Sequence, residues 1–331
     1  MHRESVIVRA VLCKNYGPPE SLVIEDIAEP LLQSSQVRIA VKACGVNYAD
    51  LLMIAGEYQV KPPMPFSPGF EFAGEVIEVA DNVTGLEPGQ RVAAATFFGG
   101  MAEQVCVPSE KVLLLPDFID YKQAAALLIS YGTSYHALKQ RAALQGGETL
   151  VVLGAAGGVG LAAVDIGKMM GATVIAAASS TEKLELAAEY GADHQINYSD
   201  TSLKDEIKQI TAGRGADVIF DPVGGELFEQ CLRAVAWRGR ILVIGFASGQ
   251  ISTVAANLTL LKGSSVVGVF WGRFAEEEPE TNARNTAELF RLLHDGTLKP
   301  HVSETYPLEQ SAKALGAIAA RRAKGKIVIE I

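Results

Sequence analysis

VVLGAAGGVGLAAVDIGKMMGATVIAAASS, from Val151 to Ser180, reads in order as strand, glycine turn, helix and strand. Gly157, Gly158 and Gly160 follow directly on the first apolar run. Without a Cβ, they let the backbone turn tightly, approach a pyrophosphate and bring the next helix close to the sheet. The helix start then offers unpaired N–H groups and partial positive charge to phosphates, with Val159 between the glycines. A strict G-x-G-x-x-G is absent, because Ala155 stands where the first glycine belongs. Such glycines alone also make a tight turn with no ligand; with strands on both sides they point to a dinucleotide site.

The end of the second strand bears on which dinucleotide binds. A site for NAD carries a carboxylate there, about 20 residues past the glycines, to hold the ribose 2′-hydroxyl. This chain has Ala178, Ser179, Ser180 and Thr181, then Lys183. No carboxylate at the strand end repels a 2′-phosphate, while hydroxyls and an ammonium are available to bind one, so NADPH is expected over NADH. The plainer reading of Lys183 is a solvated helix residue.

Outward from this segment the rhythm is α/β. Strands are expected at Thr149 to Leu153, Thr173 to Ala178, Gln195 to Asn197, Asp217 to Asp221, Arg240 to Ile244 and Ser265 to Phe270. Most are continuous apolar runs with helical segments between them, the pattern of a doubly wound parallel sheet covered on both faces. From Val6 to about Leu115 the runs are shorter or alternating and are divided by Gly and Pro, which predicts a β-rich, barrel-like domain. A helical run spans Tyr121 toward Gln140. After Trp271 come helices near Thr281 to His294 and Leu308 to Arg321, then a strand Lys326 to Ile331, elements expected to return to the first domain.

The bulk properties narrow the partners. The chain has 331 residues, 49% of them apolar, enough for about two domains with large cores. A net charge of −9 gives no basic field for nucleic acid or an acidic membrane surface. Cys13, Cys44, Cys106 and Cys231 are far apart and lie in mostly apolar stretches, as reduced core thiols do. MHRESVIVRAVL has no signal-peptide apolar core, and no stretch reaches ~18 apolar residues, so a cytoplasmic protein is expected.

CGVNYADLLMIAGEY (Cys44 to Tyr58), PFSPGFEFAGEVIEVADNV (Pro65 to Val83), PGQRV (Pro88 to Val92), AAGGVG (Ala155 to Gly160), INY (Ile196 to Tyr198) and DPVGG (Asp221 to Gly225) occur in this order. With them the chain resembles the zeta-crystallin-like quinone oxidoreductases, over nearly its whole length. The resemblance implies a GroES-like β-rich catalytic domain at 1–128 and 272–331, with an inserted Rossmann domain at 129–271. The nicotinamide is then expected in the cleft between them.

Zinc-dependent relatives take ligands from a Cys three residues after the position of Cys44 and from a GHE-like motif; here those positions read Asn47 and Gly69-Phe70-Glu71. The Cys and His donors that zinc favours are missing, and a four-cysteine structural lobe is absent. His2, His136, His194, His294 and His301 are scattered. No metal is expected. Without a Lewis acid the enzyme suits acceptors that are already electron-poor, namely quinones and conjugated carbonyls, with the proton coming from water or a nearby hydroxyl.

The resemblance also distributes roles. Asn47 is expected beside the nicotinamide, able to hydrogen-bond an acceptor oxygen, and Tyr58 on the substrate side, with Tyr48 and Asp50 close by. Asp50 reads more simply as a helix cap, and Tyr48 as a packing residue. On the cofactor side the resemblance implies Thr133, Gly157, Gly158, Val159, Ser179, Ser180, Lys183, Tyr198 and Val223. It adds the Phe246-Ala247-Ser248 turn, Phe270, Trp271 and, from the C-terminal segment, Arg321, with Arg322 as its competitor. Trp271 departs from the family pattern, and its bulk is expected to narrow the acceptor pocket. A double-bond reductase acting on enals or enoyl thioesters is the alternative enzyme, and a cofactor-binding structural protein the alternative of another class. The apolar strands near Ile241 and Ser265 lie toward one sheet edge, which a homodimer would cover.

Overall fold

In the structure, a computed structural model describing residues 6–331, the β-rich stretch forms β1 (Ile7–Leu12), β2 (Val23–Ala28) and β3 (Gln36–Val46). Helix α1 (Tyr48–Ile54) follows, then β4 (Glu71–Val79), β5 (Arg91–Ala95), β6 (Gln104–Pro108) and β7 (Val112–Leu114). These strands fall inside the stretch from Val6 to about Leu115 that reads as β-rich; β7, three residues of Val and Leu, is too short to show a period. Helix α2 (Tyr121–His136) continues through a wider turn, Ala137–Arg141.

The alternating stretch forms β8 (Thr149–Leu153), α3 (Gly158–Met169), β9 (Thr173–Ala178), α4 (Thr181–Glu189), β10 (His194–Asn197) and α5 (Leu203–Ile210). It goes on with β11 (Ala216–Asp221), α6 (Glu226–Ala234), β12 (Val235–Val243), α7 (Ala256–Lys262), β13 (Ser265–Gly268), α8 (Trp271–Glu277) and α9 (Pro279–His294). The chain ends with β14 (Val302–Pro307), α10 (Ser311–Ala319) and β15 (Lys326–Glu330). No helix among the described residues is long and apolar enough to cross a membrane.

Two units result, one of residues up to Ile129 with Pro300–Ile331, the other Ser130–Lys299. The chain passes into the second unit at Ser130 and returns to the first at Pro300. Side chains on α8 and α9 hold 272–299 within the second unit. Phe274 stacks on His136 with ring centroids 3.8 Å apart, Asn285 pairs with Gln140, and Glu288 accepts from Lys139 at 2.6 Å. These contacts tie 272–299 to the end of α2, and no sequence period announces them.

In the first unit the seven-stranded sheet runs β14-β15-β3-β4-β5-β7, with β6 also on β3. β3 lends one edge to β4 and shares the other: β6 pairs with Gln36–Ala40 and β15 with residues 43–46. Covered on both edges, β3 holds Val37, Ile39, Val41, Cys44 and Val46 in the core with Phe72, Val92, Ile327 and Ile329. Gly45 is required where α2 crosses it, since a Cβ there would lie 1.9 Å from the Ala125 carbonyl oxygen.

The second unit is a six-stranded parallel sheet ordered β10-β9-β8-β11-β12-β13. β8 is buried along its whole length, as the apolar run predicted. The order reverses between β8 and β11, so a crevice opens at their carboxyl ends, where open α/β sheets bind ligands.

Candidate active site

At the end of β8 the chain must turn sharply to start α3. Gly154 makes that turn with φ +57, a conformation costly for residues with a Cβ. Gly157 caps α3, and Gly160 lies against the turn: a Cβ there would sit 2.2 Å from the Gly154 carbonyl oxygen. Glycines thus stand at 154, 157 and 160, and Gly154, not position 155, carries the first turn. The three-residue spacing stands in the sequence as G-x-x-G-x-x-G, which the G-x-G-x-x-G pattern does not cover. The resulting cradle leaves the first N–H groups of α3, at Gly158 and Val159, without an intrahelical partner, and the only side chains in the turn are the buried methyls of Ala155 and Ala156.

Neighbouring loops assemble around this turn. The Val223 side chain lies 3.3 Å from where a Cβ on Gly154 would be. It is held by Asp221, a buried carboxylate accepting 2.8 Å bonds from Val223 and Gly224 N–H. Burial pushes the Asp221 carboxyl up, and those two N–H groups oppose the rise. The Phe246-Ala247-Ser248 turn docks on the same loop, with Ala247 N–H donating to Pro222 and Ser248 N–H to Val223. Thr133 belongs to α2 beside Ser134, whose hydroxyl donates to the Val159 carbonyl at 2.8 Å.

At the carboxyl ends of β9 and β10, Ser180 caps α4, Lys183 Nζ lies 3.4 Å from Ser179 Oγ, and Tyr198 N–H donates to Ala178. Glu182 also stands in the first turn of α4. Trp271 rests on α2: a Cβ on Gly132 would meet its indole at 2.8 Å, and its Nε1 donates to Asn282 at 3.2 Å. Phe270 is half exposed. Val223 and the 246–248 turn thus meet the glycine turn, while Ser179, Ser180, Lys183 and Tyr198 lie together past β9 and β10; Arg321 and Arg322 follow α10 in the first unit, exposed, with Arg321 in the left-handed conformation.

The first unit holds a second cluster. Asn47 caps α1 in extended conformation, and its backbone N–H donates to Asp50 Oδ2 at 2.8 Å. The other Asp50 oxygen accepts from Gly69 N–H at 2.8 Å. Asp50 thus caps a helix and ties the 69–71 loop to it. Burial raises its pKa from 3.8 to about 7, against the two N–H donors and Lys326, with Glu71 adding to the rise. Tyr58 packs edge-on against Phe70 at 5.2 Å and tilted on Phe97 at 6.5 Å, and burial, with Asp50 second, keeps its hydroxyl protonated. Tyr48, the first residue of α1, is partly exposed.

The side chain of Asn47 is engaged on both atoms. Its Nδ2 donates to Gly45 O at 3.2 Å and Glu71 Oε1 at 3.0 Å, and its Oδ1 accepts from Lys326 Nζ at 2.7 Å. Donation by Asn47 to a substrate oxygen, expected above, would require breaking one of these bonds. Lys326 also binds Glu71 Oε1 at 2.6 Å, and both side chains are buried. Lys326 carried no sequence signal, because its partner Glu71 lies 255 residues away. Among the described residues no three His, Cys, Asp or Glu are arranged to hold a metal ion. The cysteines are free, with Cys13, Cys44 and Cys231 buried and Cys106 partly so.

Comparison with known proteins agrees with this architecture. Residues 33–117 match the alcohol dehydrogenase GroES-like domain, and 158–287 the family described as zinc-binding dehydrogenase. A quinone oxidoreductase-like protein 2 homolog of Nematostella vectensis is 43% identical over 325 residues, covering 97% of this chain and 88% of the relative. The chain belongs to the zeta-crystallin-like quinone oxidoreductases. As a member of that family it is an oxidoreductase with a GroES-like and a Rossmann unit. Two solved family structures are similar throughout. A Pseudomonas syringae quinone oxidoreductase is 31% identical with a TM-score of 0.92, covering 98% of this chain and all of that one. An Escherichia coli quinone oxidoreductase in complex with NADPH is 27% identical with a TM-score of 0.91, covering 98% and 99%.

Proposed function

We propose that this zeta-crystallin-like oxidoreductase reduces quinones and other electron-poor conjugated carbonyls with NADPH, without zinc. The observation that carries this reading is the buried Lys326 ammonium against Glu71 and Asn47. A fixed positive charge there, satisfied by every nearby acceptor, disfavours a divalent cation at those residues. Acceptors must then be electrophilic without metal help.

The glycine cradle fits a dinucleotide, and the Escherichia coli relative was solved with NADPH. Gly157 to Val159 would hold the pyrophosphate on the start of α3. Ser179, Ser180, Lys183 and Tyr198 would hold the adenosine phosphate, joined by Arg321 as the family resemblance implies. Thr133, Val223, Phe246 to Ser248, Phe270 and Trp271 would border the nicotinamide. When bound, the dihydronicotinamide supplies a hydride to the acceptor. Tyr58, protonated and set among aromatic rings, orients a planar acceptor and donates to its oxygen as the charge develops. Asn47 fixes the reacting end, and Tyr48 lines it.

A homodimer fits the second unit, where β13 is an open sheet edge and Leu260, Leu261 and Ile251 on adjoining segments are exposed. The free cysteines fit a reducing, cytoplasmic setting. The deciding experiment is oxidation of NADPH and NADH by chelator-treated protein, with 9,10-phenanthrenequinone or a 2-alkenal. NADPH-preferring turnover that survives chelation is expected. Turnover that vanishes with chelator and returns with zinc overturns the zinc-free reading, and turnover with enals alone moves it to a double-bond reductase.

A further inference from the structure

A buried ammonium needs three acceptors to replace water. Lys326, 5% exposed, has them in the Val46 carbonyl at 3.1 Å, Asn47 Oδ1 at 2.7 Å and Glu71 Oε1 at 2.6 Å. Glu71, fully buried, accepts in addition from Asn47 Nδ2 at 3.0 Å and from the backbone N–H of Ile129 in α2 at 2.9 Å. The Asn47 amide is thus held between a group that can only donate and one that can only accept. Its oxygen must face Lys326 and its nitrogen Glu71; a flip would set N–H against ammonium and oxygen against carboxylate. The second Nδ2 hydrogen goes to Gly45 O. What Asn47 has left to offer is an Oδ1 lone pair.

We propose that Lys326 is a positioning residue for hydride transfer: with Glu71 it locks Asn47 as an acceptor-only group that takes an O–H or N–H of the bound dinucleotide. This rests on the assignment of Asn47 to the cofactor's reacting end. Stability alone gives a weak reason for such a pair, because apolar or neutral replacements of buried ion pairs are often tolerated. Orientation of the amide gives a specific one, since a reacting group misplaced by about 1 Å loses on the order of 10²-fold in rate.

A mutant cycle on the full-length protein tests it, with Asn47→Ala, Lys326→Met, the neutral pair Lys326→Met/Glu71→Gln, and the triple variant. Readouts are kcat and KM with 9,10-phenanthrenequinone, the Kd of NADPH by fluorescence, and Tm. Lys326→Met alone strands the Glu71 carboxylate; where it does not fold, the neutral pair carries the test. Asn47→Ala is expected to lose on the order of 10²-fold in kcat/KM. The neutral pair should lose a similar factor at near-native Tm, and the triple variant no more than either. Multiplying losses, or a neutral pair with native kcat/KM, overturn the role of Lys326 and leave the reductase reading intact. A neutral Asn47→Ala removes the assignment of Asn47 and this inference with it. If no acceptor is turned over, the reductase reading fails and the same cycle is read on the Kd of NADPH.

Discussion

Replacing Gly160 by Ala separates two uses of the glycine turn. The new Cβ would lie 2.2 Å from the Gly154 carbonyl oxygen, 2.8 Å from its carbon and 3.1 Å from Ala155 Cα, all backbone atoms that cannot rotate away. Even a close C–H···O contact keeps carbon and oxygen about 3.3 Å apart, so the turn and α3 must separate by roughly 1 Å. Overpacking of this kind costs about 3 kcal/mol, a fall in Tm of about 6–12 °C for a unit of this size. The same shift should weaken NADPH binding on the order of 10²-fold. Gly157→Ala is the contrast. Its Cβ would meet only the Gly154 oxygen, at 3.3 Å, with φ at −78. It should keep nearly native Tm yet lose NADPH affinity, because in the proposed binding mode the pyrophosphate needs the backbone of Gly157 to approach without a Cβ. Thermal unfolding and fluorescence titration of both variants are the assay. A Gly160→Ala protein with native Tm and Kd would refute the reasoning.

Lys183→Ala and Ser180→Ala should each raise the Kd of NADPH about tenfold, as loss of a charge-assisted or neutral hydrogen bond does, and leave NADH nearly unchanged; equal effects on both cofactors in binding titrations would reject the 2′-phosphate role. Folding raises the Asp50 carboxyl from 3.8 to about 7, so the folded state holds its proton more tightly than the unfolded one. The cost of ionised Asp50 is therefore full above about pH 7 and fades as pH falls toward 3.8. Denaturant unfolding at pH 5 and pH 8 should find wild type losing stability relative to Asp50→Asn as pH rises, and a pH-independent difference contradicts this. Trp271→Ala should lower KM for bulky quinones more than for small ones; a uniform change across an acceptor size series argues against a pocket wall. Leu260→Glu with Leu261→Glu should shift the protein to monomer in light scattering, and an unchanged mass places any subunit contact elsewhere.

Local patterns carried most of the fold. β8 and β9 fall on the residues that the apolar runs marked, because a strand buried on both faces leaves little polar interruption. α7 and β14, neither with a buried residue, offered no apolar stripe to read. The glycine turn was legible because it is built from neighbours in sequence. The partners of Asn47 were not. A Lys in the last strand and a Glu in β4 meet only through tertiary pairing, and nothing in either local sequence marks it.

The shared edge of β3 has a consequence for how the chain is made. Residues 43–46 wait for β15, whose first residue is Lys326, while Ser130–Lys299 are synthesised in between. The inserted unit can therefore finish folding on the ribosome with all its strands in hand. The first unit keeps an open strand edge, and a Glu71 without its ammonium partner, until β15 emerges. Truncation at Gly325 would therefore leave the Rossmann unit complete and the first unit permanently unfinished, exposing a strand edge that favours association between chains.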